Sequence, residues 1–378
     1  MRARAERPGT ERIEQLAISA FAIPTDAPEA DGTYDWRRTV LVTVEATSEG
    51  VKGLGYTYAD QATAKLIETV LANVVLGRDA MAVRANYDDM VHAVRNLGRD
   101  GVGAMAISAV DAALWDLKAR LLDRSMVDLL GAVRDEVPIY GSGGFTSYEV
   151  DRLEAQLQRW IEQGIPRVKM KIGARADEDV QRVRAARSAI GAKAELFVDA
   201  NGAYSRKQAV AQAERFAELD VRWFEEPVSS DDLAGLKLLV DRAPATMEIA
   251  AGEYGYEPRY FERMIGAGAV DIVQADATRC GGVTGFMMVA ALCDAHGLPL
   301  SSHCAPSLHV HLGCAASRVR HLEYFYDHVR IENLLFDGVV QPVDGALAPD
   351  RGRLGFGLEL RHHEAERFVL ASTIQRKE

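Results

Sequence analysis

Cysteine is scarce in this sequence. Its 378 residues hold only Cys280, Cys293, Cys304 and Cys314. No two of them stand at C-x-x-C spacing, which excludes a zinc ribbon and a thioredoxin-like redox motif. Their neighbours are mostly apolar, the setting of buried free thiols, and a reducing compartment is expected. Long apolar runs are also missing. Phe286–Cys293 falls far short of the roughly 20 residues that span a bilayer. Met1–Gln15 is charged and has no apolar segment behind it, so no secretory signal is expected. Positive charge is in deficit: the formal net charge is -11, whereas a phosphate binder needs a basic stripe. Gly141–Gly144 does not form the G-x-G-x-x-G fingerprint of an open dinucleotide-binding sheet. No G-x-S-x-G elbow supports a serine hydrolase. These absences together predict a cytoplasmic protein with neither a nucleic-acid nor a membrane partner. A homo-oligomer is expected.

The length exceeds the roughly 250–300 residues at which a single core stops growing, so two domains are expected. Apolar residues make up 48% and charged residues 26%, ordinary for a globular chain. Residues 1–130 read as an α+β unit. Ile13–Ala22, Thr39–Val44 and Gly53–Tyr58 have strand character. Helical spacing covers about 64–76, 82–96 and 104–123. Ile23–Arg38, with two prolines, several acids and two aromatics, reads as a long loop, and long loops are commonly functional. From Val137 the rhythm changes to short β runs alternating with amphipathic helices. The runs are Val137–Tyr140, Val168–Ile172, Leu196–Val198, Trp223–Phe224, Met247–Ala250, Ile272–Gln274 and Leu298–Ser301. Such succession means parallel βαβ units and favours a closed barrel over an open sheet. The barrel is expected over 131–339. The tail, 340–378, is expected to return to the N-terminal unit.

In a β/α barrel the chemistry sits at the C-terminal ends of the strands. There the sequence places Lys169 and Lys171, then Asp199 followed by Asn201, then Glu225, Glu253, Asp276 followed by Arg279, His303, and Glu323 in a further run. One acid alone would read as a cap or an ion-pair partner. Three on consecutive strand ends, Asp199, Glu225 and Glu253, would repel one another and raise each other's pKa. A divalent cation relieves that repulsion, and an all-oxygen set suits Mg²⁺ better than zinc. Lys169 and Lys171, two apart on a strand, face the barrel interior together. Each ammonium lowers the pKa of the other, which can make a base. Asp276 beside His303 would fix the imidazole tautomer. His309 and His311 read as structural.

The motifs K-M-K, D-A-N, E-E-P, A-G-E, Q-A-D…R-C-G-G-V-T-G, S-S-H and L-E-Y, with S-A-V-D-A-A-L-W-D-L-K over Ser108–Lys118, resemble the mandelate racemase subgroup of the enolase superfamily. The resemblance implies a modified (β/α)₇β barrel of TIM type under an N-terminal α+β capping domain. It implies Asp199, Glu225 and Glu253 as Mg²⁺ ligands, Lys171 as one base, and His303 with Asp276 as the other. Lys169 would contact the substrate carboxylate, and Glu323 would hydrogen-bond it as a neutral acid. Arg279 stands where the subgroup often has lysine. Asn201 and Arg279 complete the expected substrate-binding set.

The reaction so implied takes the proton next to the carboxylate of a small molecule, through a metal-stabilised enediolate. Two bases on separate strands allow dehydration of an acid sugar, which is the preferred reading. Racemisation, epimerisation and cycloisomerisation remain open on the same residues. A non-catalytic metal-binding or structural protein would be marked by a lost ligand or base, and none is lost. Specificity is expected from Ile23–Arg38 and Gly53–Asp60.

Overall fold

The computed structural model describes residues 11–377. The reading of Met1–Gln15 as lacking a signal falls mostly on residues 1–10, outside the described residues. Eight parallel strands close a barrel: β4 (Val137–Gly143), β5 (Arg167–Lys171), β6 (Glu195–Asp199), β7 (Val221–Glu225), β8 (Glu248–Ala251), β9 (Ile272–Ala275), β10 (Leu300–Ser302) and β11 (Val319–Phe325), with β11 pairing back onto β4. For this numbering the cap strands are β1 (Gln15–Ala30), β2 (Asp35–Ser48) and β3 (Val51–Tyr58).

Alternation along each barrel strand decides what faces in. Val168, Met170, Leu196, Val198 and Phe224 join the core under the outer helices. Tyr140, Phe197, Trp223, Ala250 and Ile272 form a separate cluster inside the barrel. Phe197 stacks on Trp223 at 5.4 Å, and the edge of Tyr140 meets His321 at 4.9 Å. This aromatic layer is a floor. The next inward positions carry the ionisable groups. Lys171, Asp199 and Glu225 stand side by side in the strand register.

The cap is a four-stranded antiparallel sheet ordered C-terminal strand Val369–Arg376, β1, β2, β3, backed by the helix Val102–Leu121. Gly53 and Gly55 on β3 let that helix lie directly on the sheet, because a Cβ at either would come within 2.3 Å of its backbone. The segment Ile23–Arg38 is not the loop its composition predicted. β1 and β2 continue through it as a ribbon, with only residues 31–34 turning. Pairing skips a register step between Pro24 and Glu29, and the C-terminal strand stops at Phe21↔Val369. Beyond that point β1 is an edge on one side, where proline breaks no ladder bond. Among the described residues no helix is long and apolar enough to cross a membrane.

Candidate active site

The three strand-end acids converge. Asp199, Glu225 and Glu253 are buried, and one ligand atom from each lies within 4.8 Å of the others. Glu253 Oε2 is buried without a hydrogen-bond partner. An oxygen-only set with an unsatisfied buried carboxylate oxygen fits Mg²⁺. Burial, and then Asp199, push Glu225 up to about 8 against the pull of Lys169. Glu253 goes the other way: burial would raise it, but His303, Arg279 and Lys171 hold it well below the usual carboxylate range.

The lysines occupy different depths. Lys169 Nζ lies 2.6 Å from Glu225 Oε1 and 2.8 Å from Glu323 Oε1, with no exposure. It sits one inward position below Lys171, its charge already taken by carboxylates, and it does not line the cavity at the barrel mouth as a substrate contact would. Lys171 does line it, with Nζ 2.5 Å from Asp199 Oδ2. The expected lowering of Lys171 is not what the structure shows. Burial and Lys169 do depress it, but Asp199 is in direct contact and holds the lysine above its usual range. Glu323 also departs from expectation. Burial favours its neutral form, yet Lys169, His303 and Lys171 together outweigh burial and keep it an anion. Ser142 Oγ donates to its Oε1 at 2.6 Å.

Just after β10, His303 Nδ1 is 2.7 Å from Asp276 Oδ2. Burial opposes a charge on the imidazole, but Cys304, Glu253 and Asp276 raise its pKa well above the usual value. Asp276 is held at about 2, where the hydrogen bond and charge of His303, with His309 and Arg279, together overcome burial. Arg279 turns toward acids: its Nη1 donates to Glu253 O at 3.0 Å, and its Nε is 3.8 Å from Asp276 Oδ2. It braces these groups at the cavity edge. The Asn201 backbone N–H donates to Asp199 Oδ1 at 2.9 Å, while its own Oδ1 is buried without a partner. His309 bridges Cys304 O and Ala277 N, and His311 meets Phe356 O. Both are structural fastenings.

A cavity of about 670 Å³ covers this end of the barrel, with Lys171, Asn201, Glu253, Arg279, His303 and Glu323 in its walls. The ribbon supplies the roof through Asp31, Tyr34, Asp35, Trp36, Arg37 and Arg38. Thr146 Oγ1 donates to Asp31 O at 2.7 Å and Ser147 Oγ to Pro28 O at 2.8 Å, so the ribbon is fastened to the segment after β4. From the other cap segment Tyr58 and Asp60 reach the cavity. Tyr56 does not, since its hydroxyl donates to the buried Glu332.

Three further groups belong to this site. Cys304, one of the four cysteines whose surroundings suit a buried free thiol, lines the cavity with Sγ 3.2 Å from His303 Nε2. Its position directly after the strand-end histidine is the sequence signal for it. His328 also lines the cavity, stacked on Tyr58. Glu226, the second acid of E-E-P, is buried, and its Oε1 has no partner. Burial, then Glu253, push it well above the usual range.

Comparison with known proteins agrees with this architecture. Residues 20–131 match the mandelate racemase/muconate lactonizing enzyme N-terminal domain, and residues 152–365 match the enolase C-terminal domain-like family. The chain belongs to the mandelate racemase/muconate lactonizing enzyme family of the enolase superfamily. It is 32% identical over 361 residues to the L-talarate/galactarate dehydratase of Salmonella typhimurium, covering 92% of this chain and 89% of that one. The structure of that enzyme liganded with Mg and L-lyxarohydroxamate superposes with a TM-score of 0.89 at 30% identity, covering 100% of this chain and 98% of that one. The 3,6-anhydro-alpha-L-galactonate cycloisomerase of Streptomyces coelicolor is 34% identical over 356 residues, covering 92% and 97%. A mandelate racemase/muconate lactonizing enzyme-like protein from Rubrobacter xylanophilus superposes with a TM-score of 0.93 at 53% identity, covering 95% and 99%.

Proposed function

We propose that this protein removes the α-proton of an acid-sugar carboxylate and expels the β-hydroxyl as water, giving a 2-keto-3-deoxy acid. The observation that carries this reading is that Lys171 and His303, from strands β5 and β10, front one polar cavity beside the acid cluster. Asp199, Glu225 and Glu253 would hold Mg²⁺, whose charge makes a proton beside a carboxylate removable. Lys171 Nζ takes the α-proton, a role open to it once Asp199 turns from the ion pair to another partner. His303, held at Nδ1 by Asp276, carries a proton on Nε2 and gives it to the departing hydroxyl. Lys169 and Ser142 fix Glu323 at the cavity wall. Asn201 Oδ1 is free to accept from a substrate hydroxyl. The charged residues of the ribbon meet the far end of a polyol. Specificity thus belongs to a cap domain of residues 1–130, which the strand Val369–Arg376 of the tail 340–378 joins, and chemistry to a barrel domain of 131–339, on whose β4 the tail's Ala346–Leu347 pairs.

Cycloisomerisation is the second reading, favoured by the Streptomyces coelicolor relative; it starts from the same proton abstraction. A panel of acid sugars incubated in D₂O with Mg²⁺ separates the two. Dehydration gives a 2-keto acid. Deuterium at the α-carbon without a keto acid would replace dehydration by an isomerase reaction. Neither signal from any member would overturn proton abstraction itself.

The same reading takes the protein as a cytoplasmic homo-oligomer. Four free cysteines support a reducing compartment. The strand Val369–Arg376 is a sheet edge with Val369, Leu370 and Ile374 exposed, a surface suited to a second copy. Sedimentation should show a species larger than one chain, and Ile374→Lys should reduce it.

A further inference from the structure

We propose that His303, Cys304 and Glu323 form a second metal site, for a soft divalent ion such as Zn²⁺ or Cd²⁺, directly beside the oxygen cluster that suits Mg²⁺. The ligand atoms of the three side chains lie within 4.8 Å of one another. His303 Nε2 is 3.2 Å from Cys304 Sγ and 3.9 Å from Glu323 Oε2. A tetrahedral ion with bonds of about 2.0–2.3 Å to nitrogen, oxygen and sulfur spans edges of roughly 3.3–3.7 Å. The two edges from His303 are within a few tenths of an ångström of these lengths, and the third, from Cys304 to Glu323, is held within 4.8 Å.

Each ligand is already aimed. Asp276 holds His303 at Nδ1, leaving Nε2 for the ion, which is how metal-binding histidines are commonly oriented. Lys169 and Ser142 occupy Glu323 Oε1, leaving Oε2 toward His303 and Cys304. The thiol is turned back onto the ring of the preceding residue by two successive non-glycine residues in the left-handed region, Cys304 at φ 51 and Ala305 at φ 40. That turn is fixed at both ends. The Cys304 N–H donates to Glu323 Oε2 at 2.8 Å, and its carbonyl accepts from His309 Nδ1 at 2.8 Å.

Glu253 of the oxygen cluster also reaches this place, its buried Oε2 lying 3.3 Å from His303 Nε2. It can bridge the two sites, one oxygen toward each. Sulfur and imidazole select soft ions, while the neighbouring carboxylates select Mg²⁺. The two clusters can therefore hold different metals at once, with Glu253 between them. On binding, the Cys304 thiol and the His303 Nε2–H each release a proton to solvent as the metal–sulfur and metal–nitrogen bonds form. The ion takes the Nε2 position that would hand a proton to substrate, so it inhibits. The inhibition rests on the functional reading above, whereas the binding does not.

The full-length protein, saturated with Mg²⁺ and without substrate, is titrated with Cd²⁺. The readouts are the ultraviolet thiolate-to-cadmium charge-transfer band and the metal retained after desalting. One Cd²⁺ per chain with Mg²⁺ retained is expected, and Cys304→Ser should weaken cadmium binding at least tenfold and abolish the band. His303→Asn is the second variant, with at least tenfold weaker binding expected, and serves if Cys304→Ser does not fold. No band in the parent protein, a band that survives Cys304→Ser, binding unchanged in His303→Asn, or one-for-one displacement of Mg²⁺ would each overturn the proposal. Turnover of acid sugars with Mg²⁺ alone tests the functional reading separately, so either can fail without the other.

Discussion

Lys171 and His303 are held by different neighbours, and this fixes what each loses on substitution. Lys171 leans on Asp199 at 2.5 Å, while His303 is oriented by Asp276 at 2.7 Å. For a substrate whose α-proton faces Lys171, His303→Asn should still allow α-proton exchange with solvent. It should lower full turnover by about 10²–10⁴-fold, the usual worth of a positioned acid. Lys171→Ala should stop exchange for that substrate. Deuterium incorporation measured beside product formation separates the two effects, and full turnover surviving in both variants would sink the two-base mechanism. Glu253 bears on the metal instead. Its Oε2 makes an ion pair with His303 Nε2 at 3.3 Å, so Glu253→Gln keeps the shape of the side chain and removes its charge. The variant should fold normally by circular dichroism and bind Mg²⁺ at least tenfold more weakly by calorimetry. Unfolding would mark Glu253 as structural.

The ribbon formed by β1 and β2 is where element geometry meets the site. Its tip rests on the barrel backbone: a Cβ on Gly32 would lie 2.4 Å from Ala200 O and 2.6 Å from Ile172 O, just beyond the ends of β6 and β5. Gly32→Ala must lift the tip and open the cavity roof. Expected is a several-fold rise in KM with a smaller fall in kcat, and a stability loss of no more than about 1–2 kcal/mol. A change confined to kcat would remove the ribbon from substrate binding. This element also shows where sequence reading stops. The barrel strands were legible because apolar runs such as Leu196–Val198 end on an ionisable group, here Asp199, at each turn of the β/α rhythm. The ribbon was not, because Pro24, Pro28 and the acids between them have the composition of a loop. What permits a strand there is the ending of the neighbouring C-terminal strand at Val369, a tertiary fact. Alternation gave the face of Lys169 but not its depth. The charge on Glu323 follows from Lys169 being 2.8 Å away, and the approach of Cys304 to His303 follows from two φ angles that sequence does not announce.

Across the whole molecule, cap and barrel are joined by buried acids as well as by apolar packing. Asp111 on the helix Val102–Leu121 accepts from Thr284 N at 2.9 Å and from Thr284 Oγ1 at 2.6 Å, on the barrel helix Gly282–His296. Glu332 accepts from Tyr56 Oη of β3 at 2.6 Å and from Ser307 Oγ of the barrel at 2.6 Å. Burial raises Asp111 to about 7, Asp116 to about 6 and Glu332 to about 7. In the folded chain these groups keep protons that the unfolded chain sheds nearer pH 4. Between the two values the folded state binds more protons, so stability falls as pH rises through that window and stays reduced above it. Asp276, held at about 2, works the other way: its contribution is present above its ordinary value and is lost only as pH falls toward 2. The buried imidazoles of His311 and His321, lowered to about 4 and about 3, act in the opposite sense and gain stability as pH rises toward their ordinary value. The acids' share is therefore read from the difference between parent and variant from about pH 5.5 to about pH 8. Glu332→Gln mimics the protonated acid at every pH. It should lie close to the parent protein at the acidic end and gain on it toward the alkaline end by an amount on the order of 3 kcal/mol or less. Denaturant unfolding across this range measures the slope directly. A Glu332→Gln slope equal to the parent's would show that Glu332 is ionised in the folded chain at no cost.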